Sequence, residues 1–167
     1  MKAVVVYESH WGNTAAVAQA IADGIGPDTL VMTTDDADLS AVSEVDLLVA
    51  GAPVIGFGLP TERMEDAVAD SARTAPTLPD ISHPSLRSWL RELPRGRGQG
   101  AAFETRMRWS PGGATGAIER SLEQAGYPAT GTPGKFIVTG RYGPLRAGEL
   151  ERARRWGAGL KSRLTTT

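Results

Sequence analysis

The stretch from Ala3 to Ile25 limits the folding of this chain more than any other. Ala3–Tyr7 reads as a strand that is apolar on both faces. A polar turn, Glu8–Thr14, follows it, and then Val17, Ile21 and Ile25 recur every fourth residue with Ala18 and Ala22 beside them. A strand without a polar face must be covered on both sides, and a helix that follows directly can cover one of them, as in parallel βα units. Apolar runs at Leu30–Met32, Val45–Ala50, Ala101–Phe103 and Phe136–Val138 repeat the strand signal. Further helical patterns run through Leu86, Trp89, Leu90 and Leu93 to Pro94, through Ile118, Leu122 and Ala125 to Gly126, and through Leu150, Ala153, Gly157, Leu160 and Leu164. The predicted order is β-α-β-β-α-β-α-β-α, an α/β chain with a doubly wound parallel sheet. Its 167 residues suit one core, so 1–167 is expected to be a single domain.

Several classes of function drop out. The absence of cysteine removes disulfides, thiolate metal sites, iron–sulfur ligation and a Cys nucleophile. His10 and His83 are the only imidazoles, too few for a multi-His metal site. Redox chemistry would therefore have to arrive with a cofactor. No apolar run is long enough for a membrane span, and a chain that opens on MKAVVVY is expected to lack a signal peptide and to be cytoplasmic. Residues 1–70 hold twelve Asp and Glu against two Lys and Arg, whereas residues 71–167 hold seven against sixteen. The simplest outcome is that folding interleaves the two halves as solvated pairs. No basic patch interleaved with aromatics is present, so nucleic acid is not an expected partner.

In a doubly wound sheet, ligands bind outside the carboxyl ends of the strands where the strand order switches. Three loops qualify: Glu8–Thr14, Gly51–Pro60 and Glu104–Gly113. In the first, Ser9 and Thr14 carry hydroxyls, Gly12 permits close backbone approach, and Thr14 falls near the first helical turn. Free N–H groups and the positive end of the helix dipole favour an anion there, and a phosphate would need no Lys or Arg. The plainer alternative is that Asn13 or Thr14 caps the helix and Gly12 only makes the turn.

The run VVYESHWGNTAAVAQAI, Val5 to Ile21, resembles position by position the FMN-phosphate signature of the flavodoxin family. That signature is two apolar residues, an aromatic, any residue, Ser or Thr, two of any, Gly or Ala, any, Thr, and then Ala and an apolar residue at helical spacing. The resemblance implies a flavodoxin-like five-stranded sheet in the order 2-1-3-4-5. It also implies that Ser9, His10, Trp11, Gly12, Asn13 and Thr14 wrap the FMN phosphate as an uncharged nest of dipoles. The second loop, Pro53, Val54, Ile55, Gly56, Phe57 and Gly58, would lie against the flavin ring, with Phe57 stacking and Gly56 or Gly58 allowing a peptide flip. From the third, Glu104, Thr105 and Arg106 would meet the pyrimidine end, and Trp109 would supply a second stacking aromatic. No catalytic side chain and no metal are implied. FMN would carry electrons between redox protein partners, a reductase and an acceptor oxidoreductase, without membrane insertion.

The chain also departs from the acidic electron carriers of that family. Its total charge is near neutral, and Arg106 and Arg108 place positive charge by the third loop, which favours anionic reduced flavin and argues against a very low potential. Two other readings follow. One is a flavodoxin-fold oxidoreductase acting on a quinone or protoporphyrinogen-type acceptor, with Arg106, Arg108 and the segment Leu59–Pro84 forming its site. The other is a flavin-free binding or scaffolding domain, because the bulky His10 and Trp11 stand where family members more often carry smaller residues. Among individual residues, Phe57 is alternatively a core residue of a proline-bounded turn, and Trp109 a lid. RTAPTLPDISHP is expected to be a loop near the crevice, with His83 at the surface. Tyr142 is expected to anchor a turn, while Arg152, Arg154 and Arg155 solvate the last helix with Glu149 and Glu151 available to pair.

Overall fold

The computed structural model describes residues 1–166, residue 65 by its backbone only. Strands β1 (Ala3–Tyr7), β2 (Leu30–Thr33), β3 (Leu47–Pro53), β4 (Gln99–Met107) and β5 (Gly134–Val138) form one parallel sheet in the order β2-β1-β3-β4-β5. Helices α1 (Asn13–Ile25), α2 (Leu39–Val42), α3 (Glu62–Asp70), α4 (Leu86–Glu92), α5 (Thr115–Gln124) and α6 (Glu149–Thr165) connect or follow the strands. The α/β class and the strand order are those the sequence leads one to expect.

Strand alternation divides the core into two layers. Ala3, Val5, Leu47 and Val49 join Phe103 and Phe136 in packing against Val17 and Ile21 of α1 and Ala153 and Leu160 of α6. Val4, Val6, Leu48 and Ala50 face the opposite layer, with Leu86, Trp89, Ile118, Leu122 and Tyr127. Each buried Val, Leu, Ile or Phe side chain contributes roughly 1.5–3 kcal/mol relative to exposure, so the two layers clamp the central strands firmly. Helices α1 and α6 approach until a Cβ on Gly157 would lie 2.2 Å from the Ile21 carbonyl oxygen. This tight pairing fixes the second half of α1 against α6.

The predicted order omits α2 and α3, and their sequences explain why. α2 is a single turn, capped by Asp38 accepting from the Ser40 N–H at 2.9 Å, and Val42 is its one buried residue. α3 buries Val68 while most of its other residues are polar, so no apolar periodicity announces it. It lies within Leu59–Pro84, the segment that the oxidoreductase reading assigns to its site, and is followed by a 3-10 turn at Ser71–Arg73. Both β3 and β4 run further than their apolar cores, with Ala52 opposite Glu104 and Pro53 opposite Thr105. Pro53, Glu104, Thr105 and Arg106 are therefore strand residues, not loop residues. The charge halves interleave little: among the described residues, Arg154 with Asp23 is the one ion pair that joins them.

Candidate functional site

The carboxyl ends of β1, β3 and β4 converge on a cavity of about 330 Å³. Its walls come from Ser9–Trp11, Asn13 and Thr14, from Pro53–Phe57, and from Thr105–Met107 and Ser110, with Val68, Val138 and Arg141 completing them. The volume falls in the range of small-molecule sites. Gly12, Gly58, Glu104 and Trp109 do not line it.

The first wall is the turn between β1 and α1. Gly12 occupies the N-cap of α1 at φ 88°, a left-handed conformation that glycine adopts without the cost a Cβ brings. No side chain caps the helix, so neither Asn13 nor Thr14 plays the capping part. Asn13 donates from Nδ2 to the Tyr142 carbonyl at 3.1 Å, and the Thr14 hydroxyl shares a 2.8 Å hydrogen bond with the Thr105 hydroxyl, tying α1 to β4. The Ser9 Oγ accepts from the Gly12 N–H at 3.2 Å and closes the turn. Among the described residues, the backbone N–H groups of Trp11, Asn13, Thr14 and Ala15 have no protein acceptor.

The orientation of this turn is imposed from behind. The His10 carbonyl accepts from the Asp80 N–H at 2.8 Å, and the Ser9 carbonyl lies 3.0 Å from His83 Nε2, which donates to it. In a trans peptide the C=O and the next N–H point in opposite directions, so anchoring the His10 carbonyl turns the Trp11 N–H away from that anchor. His83 is accordingly buried and structural, not a surface residue. Asp80 sits in its own turn, where the Ser82 hydroxyl and N–H hold its carboxyl below the ordinary range, at 2.6 and 3.0 Å. Tyr7, at the end of β1, has its phenol raised by burial and by the charges of Asp36 and Asp80.

The second wall is a tight turn. Ile55 and Gly58 exchange backbone hydrogen bonds at 3.0 and 3.2 Å, with Gly56 at φ 56° and Phe57 at φ 70°. Phe57 is thus a bulky residue in a left-handed conformation, and its side chain is 65% exposed rather than in the core. Its carbonyl accepts from the Gly113 N–H at 3.1 Å, joining this turn to the third loop.

The third wall differs most from expectation. Glu104 is fully buried, and its Oε2 accepts from the N–H groups of Ala114 and Thr115 at 2.6 and 3.0 Å. Its Oε1 pairs with Arg106 at 2.9 Å, and Arg106 also donates to the Gly112 and Ser110 carbonyls. The Arg106 charge is therefore balanced, contrary to the expectation of an open cation by the third loop. Trp109 is 85% exposed, with the Arg108 guanidinium 5.0 Å from its ring centre. The ring that Trp11 meets is that of Tyr142, edge-on at 4.9 Å, outside the cavity lining. Val68, Met107, Ser110, Val138 and Arg141 are wall residues without a local sequence signal; each reaches the cavity because the sheet ends there.

The family model described as Flavodoxin matches residues 5–90. No curated protein sequence matches the chain. Among solved structures, a flavodoxin from the domain Archaea is 23% identical over 99% of each chain, with a TM-score of 0.68. Oxidised Flavodoxin 2 from Bacillus cereus is 14% identical over 98% of this chain and 99% of its own, also at 0.68. Rubredoxin oxygen:oxidoreductase from the anaerobe Desulfovibrio gigas is 16% identical and has a TM-score of 0.63; the match takes in 99% of this chain and 36% of that one. At such identities the likeness is one of fold.

Proposed function

The chain belongs to the flavodoxin family, and from that premise we propose that it binds FMN in the cavity at the ends of β1, β3 and β4 and shuttles electrons between a reductase and an acceptor oxidoreductase. Members of the family bind flavin and pass electrons to redox partners. One observation carries the assignment to this site: an uncapped helix start offers the N–H groups of Trp11, Asn13, Thr14 and Ala15 beside a largely apolar cavity. Trp11 Nε1 is also buried without an acceptor among the described residues. Such a donor set suits a dianion bound through dipoles.

The residues fit FMN as follows. The phosphate would take the N–H groups of the turn with the Ser9 and Thr14 hydroxyls. The ring would meet Val54–Phe57 on one wall and Thr105, Arg106 and Met107 on another, with Phe57 the exposed aromatic at the mouth. When bound, FMN supplies the capacity to accept and release electrons; the chain supplies the position, the apolar wall and the charge around it. Glu104 neutralises Arg106, and Arg141 adds a cation at the wall. Among the described residues no helix is long and apolar enough to cross a membrane.

The test is the visible absorption spectrum of the freshly purified protein, then titration of the apoprotein with FMN and riboflavin. Yellow protein that prefers FMN supports the reading. Colourless protein that ignores both flavins at micromolar concentration overturns it and leaves a binding domain of the same fold.

A further inference from the structure

We infer that Arg141, at the tip of the turn between β5 and α6, binds the FMN phosphate directly, so that this site selects the phosphorylated flavin by charge as well as by backbone dipoles. The inference rests on the reading of the α1 start as the FMN phosphate site.

The connection from β5 to α6 is tightly folded. The Gly143 N–H donates to the Gly140 carbonyl at 3.1 Å, so Arg141 and Tyr142 are the two central residues of a β-turn. The base of this turn is closed by the Thr139 N–H and hydroxyl, which donate to the Pro144 carbonyl at 2.8 and 3.0 Å. Its tip is fixed against the start of α1. The Tyr142 carbonyl accepts from Asn13 Nδ2 at 3.1 Å, and the Tyr142 ring meets Trp11. The backbone passes so near that a Cβ on Gly143 would lie 2.6 Å from Asn13 Oδ1. On its outer side the Tyr142 hydroxyl shares a 3.2 Å hydrogen bond with the Thr74 hydroxyl. Arg141 therefore stands one residue from a contact with the first residue of α1, and it lines the cavity beside the open N–H groups.

The charges around the cavity leave this guanidinium available. Two arginines line the wall and, among the described residues, no carboxylate does. Arg106 is neutralised by Glu104. Arg141 enters no ion pair among the described residues; its guanidinium lies 5.7 Å from the Tyr142 ring centre, a contact that steadies a cation without cancelling its charge. A phosphate monoester carries a charge of about −1.5 to −2 at neutral pH, and a guanidinium meets its oxygens with paired N–H donors. The run Val5–Ile21 contains no Lys or Arg, which is why the resemblance in sequence implies an uncharged nest; the fold brings the cation from beyond β5.

The experiment measures FMN and riboflavin dissociation constants of the full-length apoprotein at neutral pH, for the unaltered chain, Arg141→Gln and Arg141→Lys. Arg141→Gln should bind FMN about tenfold more weakly. Riboflavin, which has the ring without the phosphate, should bind all three proteins equally. Arg141→Lys keeps the charge without the fork and should recover part of the loss. Raising the ionic strength from about 0.05 M to about 0.5 M should weaken FMN binding more in the unaltered chain than in Arg141→Gln, a difference that a merely structural role would not produce. Unchanged FMN affinity in Arg141→Gln, an equal loss for both flavins, or the same salt dependence in both proteins would overturn the inference. Failure of the unaltered chain to bind FMN would overturn the FMN-site reading, and this inference with it. Should Arg141→Gln not fold, arginine side-chain 15N NMR of the unaltered protein decides: the Arg141 Nε–H signal should shift with FMN and stay in place with riboflavin, and a signal that FMN leaves unmoved refutes the contact.

Discussion

Two helices start beyond the carboxyl ends of β1 and β4, the strands on either side of β3, and treat their exposed N–H groups in opposite ways. At α5 the chain brings its own anion: buried Glu104 accepts from Ala114 and Thr115 and is balanced by Arg106. At α1 no side chain caps the helix, and a glycine at φ 88° turns the chain so that successive N–H groups stay open. One end is finished by the protein and the other is left for a ligand. α6 is an informative third case. It too begins after a left-handed glycine, Gly148, but buried Glu149 stands in its first turn and takes the Ile137 N–H, Arg146 and Arg152. Helix starts with a built-in carboxylate are structural, and the one without is the candidate anion site.

The largest effect should come from breaking the finished end. Glu104→Ala removes the acceptor of two N–H groups and the counter-charge of Arg106, and should cost about 3 kcal/mol. Urea unfolding should show a lower midpoint with an unchanged slope. A loss below about 1 kcal/mol would mean that the α5 start is satisfied some other way.

Next comes Glu149→Gln, whose cost should depend on pH. Burial alone would raise the Glu149 pKa, but hydrogen bonds from Arg152, the Ile137 N–H and Arg146 outweigh it and hold it below the usual carboxylate value. A depressed folded pKa contributes stability that is fully present above the unfolded pKa and is lost as pH falls through the folded one. The variant should therefore be less stable by about 1–2 kcal/mol at pH 7, the half-exposed arginines being partly screened, and the difference should shrink as pH falls below the unfolded carboxylate value of about 4.3, vanishing below the depressed folded one. A pH-independent difference would show that shape, not charge, is what Glu149 supplies.

How far this contrast was readable from sequence follows from where each signal sits. The β1–α1 unit is legible because strand, glycine and helix lie within one short stretch, but only the structure separates an open helix start from one capped by Asn13 or Thr14. The sheet order was legible through the resemblance that this stretch carries. Nothing local to Glu104 reveals that its acceptor role is used ten residues onward, at Ala114 and Thr115. Trp109 is the only aromatic in its loop, whereas the ring that meets Trp11 is that of Tyr142, which follows β5 in the chain. α3 escaped notice because Val68 alone does not make a periodicity. Contacts set by tertiary convergence leave no spacing to read.

A smaller effect isolates the backbone of the open end. A Cβ at Gly12 would meet no atom within 4 Å, so Gly12→Ala tests conformation without a clash. Holding alanine in the left-handed region costs about 1–2 kcal/mol, and FMN affinity should fall about tenfold while riboflavin affinity stays unchanged. Equal losses for both flavins would place the effect at the ring and remove the distinction between the α1 start and the other two.

The smallest effect concerns the wall facing that turn. Phe57 sits at φ 70° with its ring 65% exposed, so the fold gains little from the side chain while bearing its backbone strain. Asn tolerates this conformation far better than Phe, because its short polar side chain bonds locally. Phe57→Asn should therefore stabilise the apoprotein by about 0.5–1 kcal/mol, seen as a higher urea midpoint. The same change should weaken FMN and riboflavin alike, since the residue belongs to the ring wall and not to the phosphate turn. Stability and affinity moving in opposite directions would mark Phe57 as retained for the ligand. Loss of both together would mean that the ring holds the Ile55–Gly58 turn in place, making that wall structural in the same sense as the α5 start.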